Sequence, residues 1–214
     1  MREVQPGLWE TEPEFPAPGL STHAYLWQGP DGNVLFYNTS LEGELDRMAE
    51  LGGVSRQYLS HQDEIAPSLR TIRERYGATL HSSAAEAAIV EKTSPVDEAF
   101  DERRTGTDGV EVIPAPGHTP GSAVFLVRST TGSTYLFTGD TILVDAEGRW
   151  FAGYIPGHSD RETLVRTLAE LRELAPDVVI SSAFQGDSGV TELGDRPWAE
   201  CVDEALRSLD AART

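Results

Sequence analysis

A histidine in a proline- and glycine-rich segment is the first residue of this sequence whose setting indicates chemistry. His118 lies in the run A-P-G-H-T-P-G-S, which covers residues 115–122 and is flanked on both sides by alternating apolar residues. Two prolines and two glycines restrict the backbone of such a segment to a tight turn. We therefore expect His118 at the end of a strand, with its imidazole held in a fixed direction.

A carboxylate follows the next apolar run of the chain. Residues 135–137, Y-L-F, have the composition of a strand and lead into T-G-D-T, whose acidic residue is Asp140. A histidine nitrogen and a carboxylate oxygen presented from neighbouring strand ends are ligands that divalent metal ions use in proteins. Together the two segments predict a metal site.

The elements that position these residues alternate between strands and helices. Apolar runs predict strands at residues 23–28, 34–38, 56–60, 110–113, 123–127 and 177–181. Helical spacing of apolar residues predicts helices at residues 40–51, 67–76, 159–174 and 198–209, the third with a capping box of Ser159 and Glu162. Residues 1–20 predict an extended lead-in. This order favours one α/β domain over residues 1–214, with two sheets between helical layers.

Composition restricts the class of partner. The chain has 214 residues, 39% of them hydrophobic, and a formal net charge of -18, so it is expected to fold and to repel nucleic acid and anionic membranes. Its one cysteine, Cys201, excludes an intrachain disulfide and a cysteine metal cluster. With no signal-like apolar segment at its start, the protein is expected in the cytoplasm, acting on a small molecule.

The motifs P-G-H-T-P-G-S and F-T-G-D-T resemble those of the metallo-β-lactamase superfamily, whose fold is shared by zinc β-lactamases, glyoxalase II and many other hydrolases. The resemblance extends to the order of elements along most of the chain. It implies the α/β (α+β) class and the four-layer αββα sandwich of the metallo-β-lactamase fold. It also implies that His118 and Asp140 are metal ligands.

The main metal motif of that superfamily, H-x-H-x-D-H, is only partly present. His61 matches its first histidine, and Asp63 stands where the second should be. Ile65 replaces the aspartate and Ala66 replaces the last histidine. After the strand at residues 177–181, Ala183 stands where the family commonly has one more histidine ligand. The resemblance therefore implies at most one metal ion instead of two.

Four residues remain as ligands for that ion, and they are His61, Asp63, His118 and Asp140. Two imidazoles and two carboxylates suit zinc best, with iron or manganese as alternatives, and they leave room for water. Asp63 and the neighbouring Glu64 are the candidate catalytic carboxylates, with Glu64 as a base or an alternative ligand. The alternative is that no ion binds and that the histidines and carboxylates form a hydrogen-bonded network.

The segment between Asp140 and the third predicted helix often borders the substrate cleft in this superfamily. It carries Trp150, Tyr154 and His158, so these are weaker candidates for lining the cleft, and His158 for replacing a lost ligand. If its aromatic residues are exposed, residues 144–157 would also suit a homodimer contact.

Two functions fit these observations. The first is a divergent hydrolase with at most one metal ion, acting on a small ester, thioester or lactam-like substrate. The second is a non-catalytic protein that keeps the fold as a binding or interaction module without stoichiometric metal. Nucleic-acid processing, a third possibility within the superfamily, is disfavoured by the net charge of -18.

Overall fold

Strands and helices alternate along the chain in the computed structural model, which describes residues 1–186 and 188–211. The strands are β1 (Arg2–Gln5), β2 (Leu8–Glu10), β3 (Glu14–Ala17), β4 (Leu20–Thr22), β5 (Tyr25–Gly29), β6 (Gly32–Phe36), β7 (Arg56–Tyr58), β8 (Thr79–Ser83), β9 (Glu98–Phe100), β10 (Arg104–Thr105), β11 (Glu111–Pro114), β12 (Ala123–Arg128), β13 (Thr134–Gly139), β14 (Ile142–Val144), β15 (Trp150–Ala152), β16 (Val178–Ser181), β17 (Ala183–Phe184) and β18 (Val190–Glu192). The helices are α1 (Glu42–Glu50), α2 (Ser68–Tyr76), α3 (Ala87–Val90), α4 (Arg161–Leu171) and α5 (Trp198–Ala211).

The strands form two large sheets and two small ones. The first large sheet has the order β1-β2-β5-β6-β7-β8-β9, and the second has the order β10-β11-β12-β13-β16-β18. A hairpin of β14 and β15 and a small sheet of β17, β4 and β3 complete the set. The pairing of β17 with β4 connects the N-terminal region to the chain that leaves the second sheet.

Side chains on both faces of each large sheet are buried, because each sheet lies between the other sheet and a layer of helices. The two sheets meet across an aromatic core that includes Tyr25, Phe36 and Phe137. On its outer face the first sheet packs against α1 and α2. The outer face of the second sheet packs against α4 and α5. The predicted α/β class and αββα layer order are confirmed.

Parallel pairing brings the ends of several strands to one edge of the molecule. Strand β7 runs parallel to β6 and β8, and β13 runs parallel to β16. The end of β7 meets the start of β12, where Ala123 N donates a hydrogen bond to Ser60 O over 2.8 Å. Tyr37 also joins the two sheets, since its hydroxyl donates to Ile180 O over 2.7 Å and accepts from Gly139 N over 3.0 Å.

Two sequence-based expectations about local structure are wrong. Residues 1–20 are not an extended lead-in, because they form β1, β2, β3 and the start of β4. Helix α4 is capped by Asp160, whose Oδ1 accepts from Thr163 N over 3.1 Å, and not by Ser159. The Ser159 hydroxyl instead accepts from Ile155 N over 3.0 Å, inside the preceding loop. None of the helices described over residues 1–186 and 188–211 combines the length and apolar character needed to cross a membrane.

Candidate metal centre

His61 and Asp63 are positioned by the chain that leaves β7. The chain bends at Ser60 and His61, the backbone of His61 itself is extended, and residues Gln62–Glu64 then form a single 3-10 turn. The side chain of Asn38 supports this turn, because its Nδ2 donates to Glu64 O over 2.9 Å. The turn reverses the chain within three residues, so His61 and Asp63 both lie at the edge where β7 ends.

His118 is positioned by the turn at residues 115–122. The turn closes through Ala115 N, which donates to Ser122 O over 2.7 Å. Gly117 has a φ of +136°, and a Cβ there would lie 2.5 Å from Leu164 Cα, so the turn can lie against α4 only with glycine at this position. His118 Nδ1 lies 2.7 Å from Gly153 O, a carbonyl that can only accept. The Nδ1 atom therefore carries the proton, and the lone pair of Nε2 faces the site.

Asp140 follows β13 directly and is held by the chain that follows β16. Its Oδ1 accepts hydrogen bonds from Ala183 N over 3.1 Å and from the hydroxyl of Ser182. This leaves Oδ2 facing the two histidines, at 3.6 Å from His61 Nε2 and 3.9 Å from His118 Nε2. One oxygen thus fixes the carboxylate, and the other points into the site.

The four predicted ligands converge on one small volume. Potential ligand atoms of His61, Asp63 and His118 lie within 4.8 Å of one another, and Asp140 Oδ2 lies beside both histidines. The shortest separation from His118 Nε2 is 3.6 Å, to Asp63 Oδ2, which is too long for a hydrogen bond. Metal–ligand bonds of about 2.1 Å place tetrahedral ligands roughly 3.4 Å apart, so this spacing suits one ion.

The Nε2 atom of His118 indicates whether these residues fit a metal ion. His118 Nε2 is buried and has no hydrogen-bond partner among the described residues. A buried lone pair without a partner is costly, because the atom has lost its water and gained nothing in return. A divalent cation between Nε2 and the two aspartate oxygens would satisfy it. The donor set and its orientation therefore fit a metal ion.

Glu64 does not lie where its predicted role as a base or ligand requires. Its Oε2 accepts from Ser60 N over 2.8 Å, its Oε1 accepts from the Ser60 hydroxyl, and Oε1 lies 3.2 Å from His61 Nδ1. The two ring nitrogens are on opposite sides of an imidazole, so this carboxylate lies behind His61, away from Nε2. The contacts are those of a group that would orient His61 if that histidine bound a metal ion.

The protein's charges keep the site ionised. Burial opposes protonation of His61, but the charges of Asp140 and Glu64 raise its pKa well above the usual value. Burial likewise opposes the charge on Asp140, but His61 above all holds the pKa of Asp140 below its usual range. Interaction with His118 lowers the pKa of Asp63. A metal ion that binds here must displace the His61 proton, so its binding releases a proton.

The three weaker cleft candidates lie in different places. His158 reaches the centre, with Nε2 at 3.0 Å from Asp63 Oδ2. Trp150 does not line the cleft: it is 3% exposed and packs edge-on against Trp198 at 5.5 Å, because β15 pairs with β14 and turns it toward α5. Tyr154 packs against the same core. The aromatic argument for a homodimer through residues 144–157 thus loses its basis, although the dimer itself stays a prediction.

A cavity of about 470 Å³ opens beside the centre, and His61, Asp63 and Asp140 form part of its wall. Ile65 and Ala66, which stand at the lost ligand positions, also line it. Its volume falls within the range of pockets that hold small-molecule ligands. The centre is therefore open to a molecule of that size.

Sequence reasoning missed the residues that support the ligands. Ser60 bridges His61 and Glu64, and Ser182 holds Asp140. The available signal was position: Ser60 directly precedes His61, and Ser182 directly follows the strand that runs parallel to β13. Small polar residues next to strand ends carry that information only when the pairing of the strands is known.

Glu64→Gln is expected to weaken zinc binding by about 10–100-fold, the usual cost of removing a partner that orients a ligand. The neutral amide cannot replace the carboxylate at Ser60 and His61, although the side chain keeps its size. Zinc titration calorimetry would measure the change. Glu14→Gln is the matched control, because Glu14 lines the same cavity but its carboxylate accepts from Ser40 N. Equal affinities for wild type and Glu64→Gln would refute an orienting role.

Comparisons with known proteins agree with this architecture. The family model of the metallo-beta-lactamase superfamily matches residues 48–183. A metallo-beta-lactamase from Pontibacter korlensis has a similar structure, with a TM-score of 0.74, 18% identity and coverage of 98% of this chain and 97% of that one. A Cronobacter sakazakii metallo-beta-lactamase with a HARLDQ motif has a TM-score of 0.64 and 17% identity, with coverage of 95% of each chain. The TTHA1623 protein in a di-iron-bound form has a TM-score of 0.63 and 21% identity, with coverage of 87% of this chain and 98% of that one. The comparison with curated proteins gives no match.

Proposed function

The chain belongs to the metallo-beta-lactamase superfamily, and from that premise we propose that it is a hydrolase with one divalent metal ion, most favourably zinc. Its substrate is a small ester, thioester or lactam-like molecule. The ligands of the ion are His61, Asp63, His118 and Asp140. Iron or manganese would suit the same two nitrogen and two oxygen donors.

The observation that carries this proposal is the buried, unpartnered Nε2 of His118. Its Nδ1 is committed to Gly153 O, and its Nε2 faces the carboxylates of Asp63 and Asp140 at distances too long for hydrogen bonds. The hydrogen bonds of the site leave this atom without a partner, whereas a metal ion would use it as a ligand. The arrangement is therefore better explained by an ion than by a network.

The described positions at which the superfamily binds a second ion carry no ligand side chains in this chain. Ile65, Ala66 and Ala183 stand where the superfamily places an aspartate and two histidines, and their side chains carry no donor atoms. The backbone N–H of Ala183 is used to hold Asp140. Binding of one ion per chain follows from this distribution of side chains.

A bound divalent ion would act as a Lewis acid and would make water a nucleophile near neutral pH. Asp63 is the proton acceptor in this proposal, because its side chain is 42% exposed, the most open of the four. His158 is hydrogen-bonded to Asp63 and partly exposed, so a proton on Asp63 can leave through it to solvent. Glu64 acts as a positioning residue through His61.

Metal content and hydrolysis together test the proposal. Protein purified without added metal, and protein loaded with zinc, iron(II) or manganese(II), would be analysed by plasma mass spectrometry. The same samples would be assayed on a panel of esters, thioesters and lactams. We expect about one equivalent of metal per chain and hydrolysis that stops when a chelator removes the ion.

The alternative function makes the opposite prediction. A non-catalytic binding module would hold no stoichiometric metal after loading with each ion, and it would hydrolyse none of the panel. That result would refute the hydrolase. More than one equivalent per chain would refute the single-ion centre, since it would require ligands other than the four named here.

A further inference from the structure

The wall of the cavity beside the metal centre is apolar where the superfamily has metal ligands. Ile65 and Ala66 follow the 3-10 turn and line the cavity next to Asp63 and Asp140. Ile65 is also packed against a small core cluster that contains Leu59 and Leu69, so its position is fixed. Loss of the second set of ligands has therefore produced an ordered apolar surface within reach of the centre.

The cavity is also lined by large apolar side chains that are exposed to solvent. Phe15, in β3, is 74% exposed, and Ile155, in the loop before His158, is 48% exposed. Both line the cavity, together with Leu20. Covering such exposed apolar side chains with an apolar group of a bound molecule is favourable, because it removes their surface from water.

The charges around the cavity exclude one class of ligand. Four carboxylates line it, those of Glu14, Asp63, Glu64 and Asp140, and no lysine or arginine is present among its described lining residues. The chain as a whole carries a net charge of -18. A carboxylate or phosphate on the substrate, away from the metal, would lose its water without gaining a cationic partner.

We infer that the substrate is an uncharged molecule whose acyl group is an apolar chain or ring, seated on Ile65 and Ala66 and covered by Phe15. The inference rests on the proposed function in one respect: the bound molecule is a substrate only if the protein is a hydrolase. Among esters, thioesters and lactams, the inferred apolar site favours neutral compounds with a medium-length acyl chain. It disfavours lactams that carry a free carboxylate.

Binding of a homologous series tests the inference without relying on turnover. Butanamide, hexanamide and octanamide would be titrated by calorimetry into the full chain, as purified and again after metal removal. Each buried methylene is expected to tighten Kd about fourfold in both samples. Hexanoate and octanoate, titrated into the metal-free sample, should bind at least about tenfold more weakly than the amides of equal length.

Variants locate the binding surface. Phe15→Ala should weaken octanamide binding roughly fivefold to tenfold, because it removes a large apolar contact, and it should leave stability unchanged because Phe15 is exposed. Ile65→Asn should flatten the dependence on chain length. Ile89→Ala is the matched control: Ile89 is 40% exposed on α3, is not among the residues that line the cavity, and its loss should change no Kd.

The outcomes separate this inference from the proposed function. Affinities that do not change with chain length, or carboxylates that bind as tightly as amides, would overturn the apolar subsite even if the protein hydrolyses esters. A fourfold step per methylene that is lost in Ile65→Asn would support it, even in a chain that retains no metal. In that case the apolar molecule is a ligand and not a substrate, so the hydrolase proposal is refuted and the apolar binding site is retained.

Discussion

His118→Ala is expected to leave the protein without stoichiometric metal and without hydrolytic activity. His118 Nε2 is buried, unpartnered and central among the four ligand atoms, so its loss removes one ligand and opens the site to water. Structural zinc sites with four ligands are worth about 10–16 kcal/mol, or about 3 kcal/mol per ligand, which corresponds to a loss of affinity of roughly 10²–10³-fold. Plasma mass spectrometry and zinc titration calorimetry would measure it.

His158→Ala is the matched control for this prediction. His158 contacts Asp63 and is partly exposed, but it is not among the four proposed ligands. We expect the control to retain about one equivalent of metal, with affinity reduced by no more than about tenfold, the lower end of the range for losing an orienting group. If His158→Ala loses metal as completely as His118→Ala, the proposed ligand set is wrong and His158 belongs to it.

The motifs around His118 and Asp140 predicted the fold because both depend on local sequence. Glycine and proline restrict the turn at residues 115–122 whatever the rest of the chain does, and Gly117 is required there by the approach of α4. Both motif residues lie at the same edge because β11 and β13 each run antiparallel to β12. Chain order alone therefore sufficed to predict that His118 and Asp140 lie together.

The N-terminal region could not be predicted in the same way. Residues 1–20 are rich in proline, glycine and glutamate, a composition typical of loops, and two of their strands also pair with strands further along the chain. Strand β2 pairs with β5, and β4 pairs with Ala183 and Phe184 near the other end of the chain. Pairing across such a separation depends on tertiary packing and leaves little trace in local propensity.

The roles of Glu64 and Trp150 depended on side-chain direction, which spacing does not give. Glu64 is three residues after His61, and the 3-10 turn directs its carboxylate back to His61 Nδ1 instead of forward to the proposed metal position. Trp150 is turned inward by the register of β14 with β15, in which Val144 is opposite Trp150. A shift of one residue in that register would have placed it on the other face.

Gly153→Ala is expected to destabilise the protein by more than about 3 kcal/mol and to weaken metal binding at the same time. A Cβ at Gly153 would lie 1.6 Å from Asp140 O, so the backbone of one segment must move. Gly153 N donates to Thr141 O, and Gly153 O is the partner of His118 Nδ1. A shift that relieves the clash therefore displaces Asp140, His118 or both.

Urea unfolding and zinc titration of the same preparation would measure both effects of Gly153→Ala. Gly43→Ala is the matched control: Gly43 lies in α1, a Cβ there meets no atom within 4 Å, and its φ is not in the left-handed region. That change should leave zinc affinity unaltered and stabilise the protein by up to about 1 kcal/mol, since alanine favours the helix. If the free energy of unfolding of Gly153→Ala lies within about 1 kcal/mol of the wild-type value, the close approach of Gly153 to Asp140 does not hold the site together. If it is destabilised but binds zinc normally, His118 is not oriented through the Gly153 carbonyl.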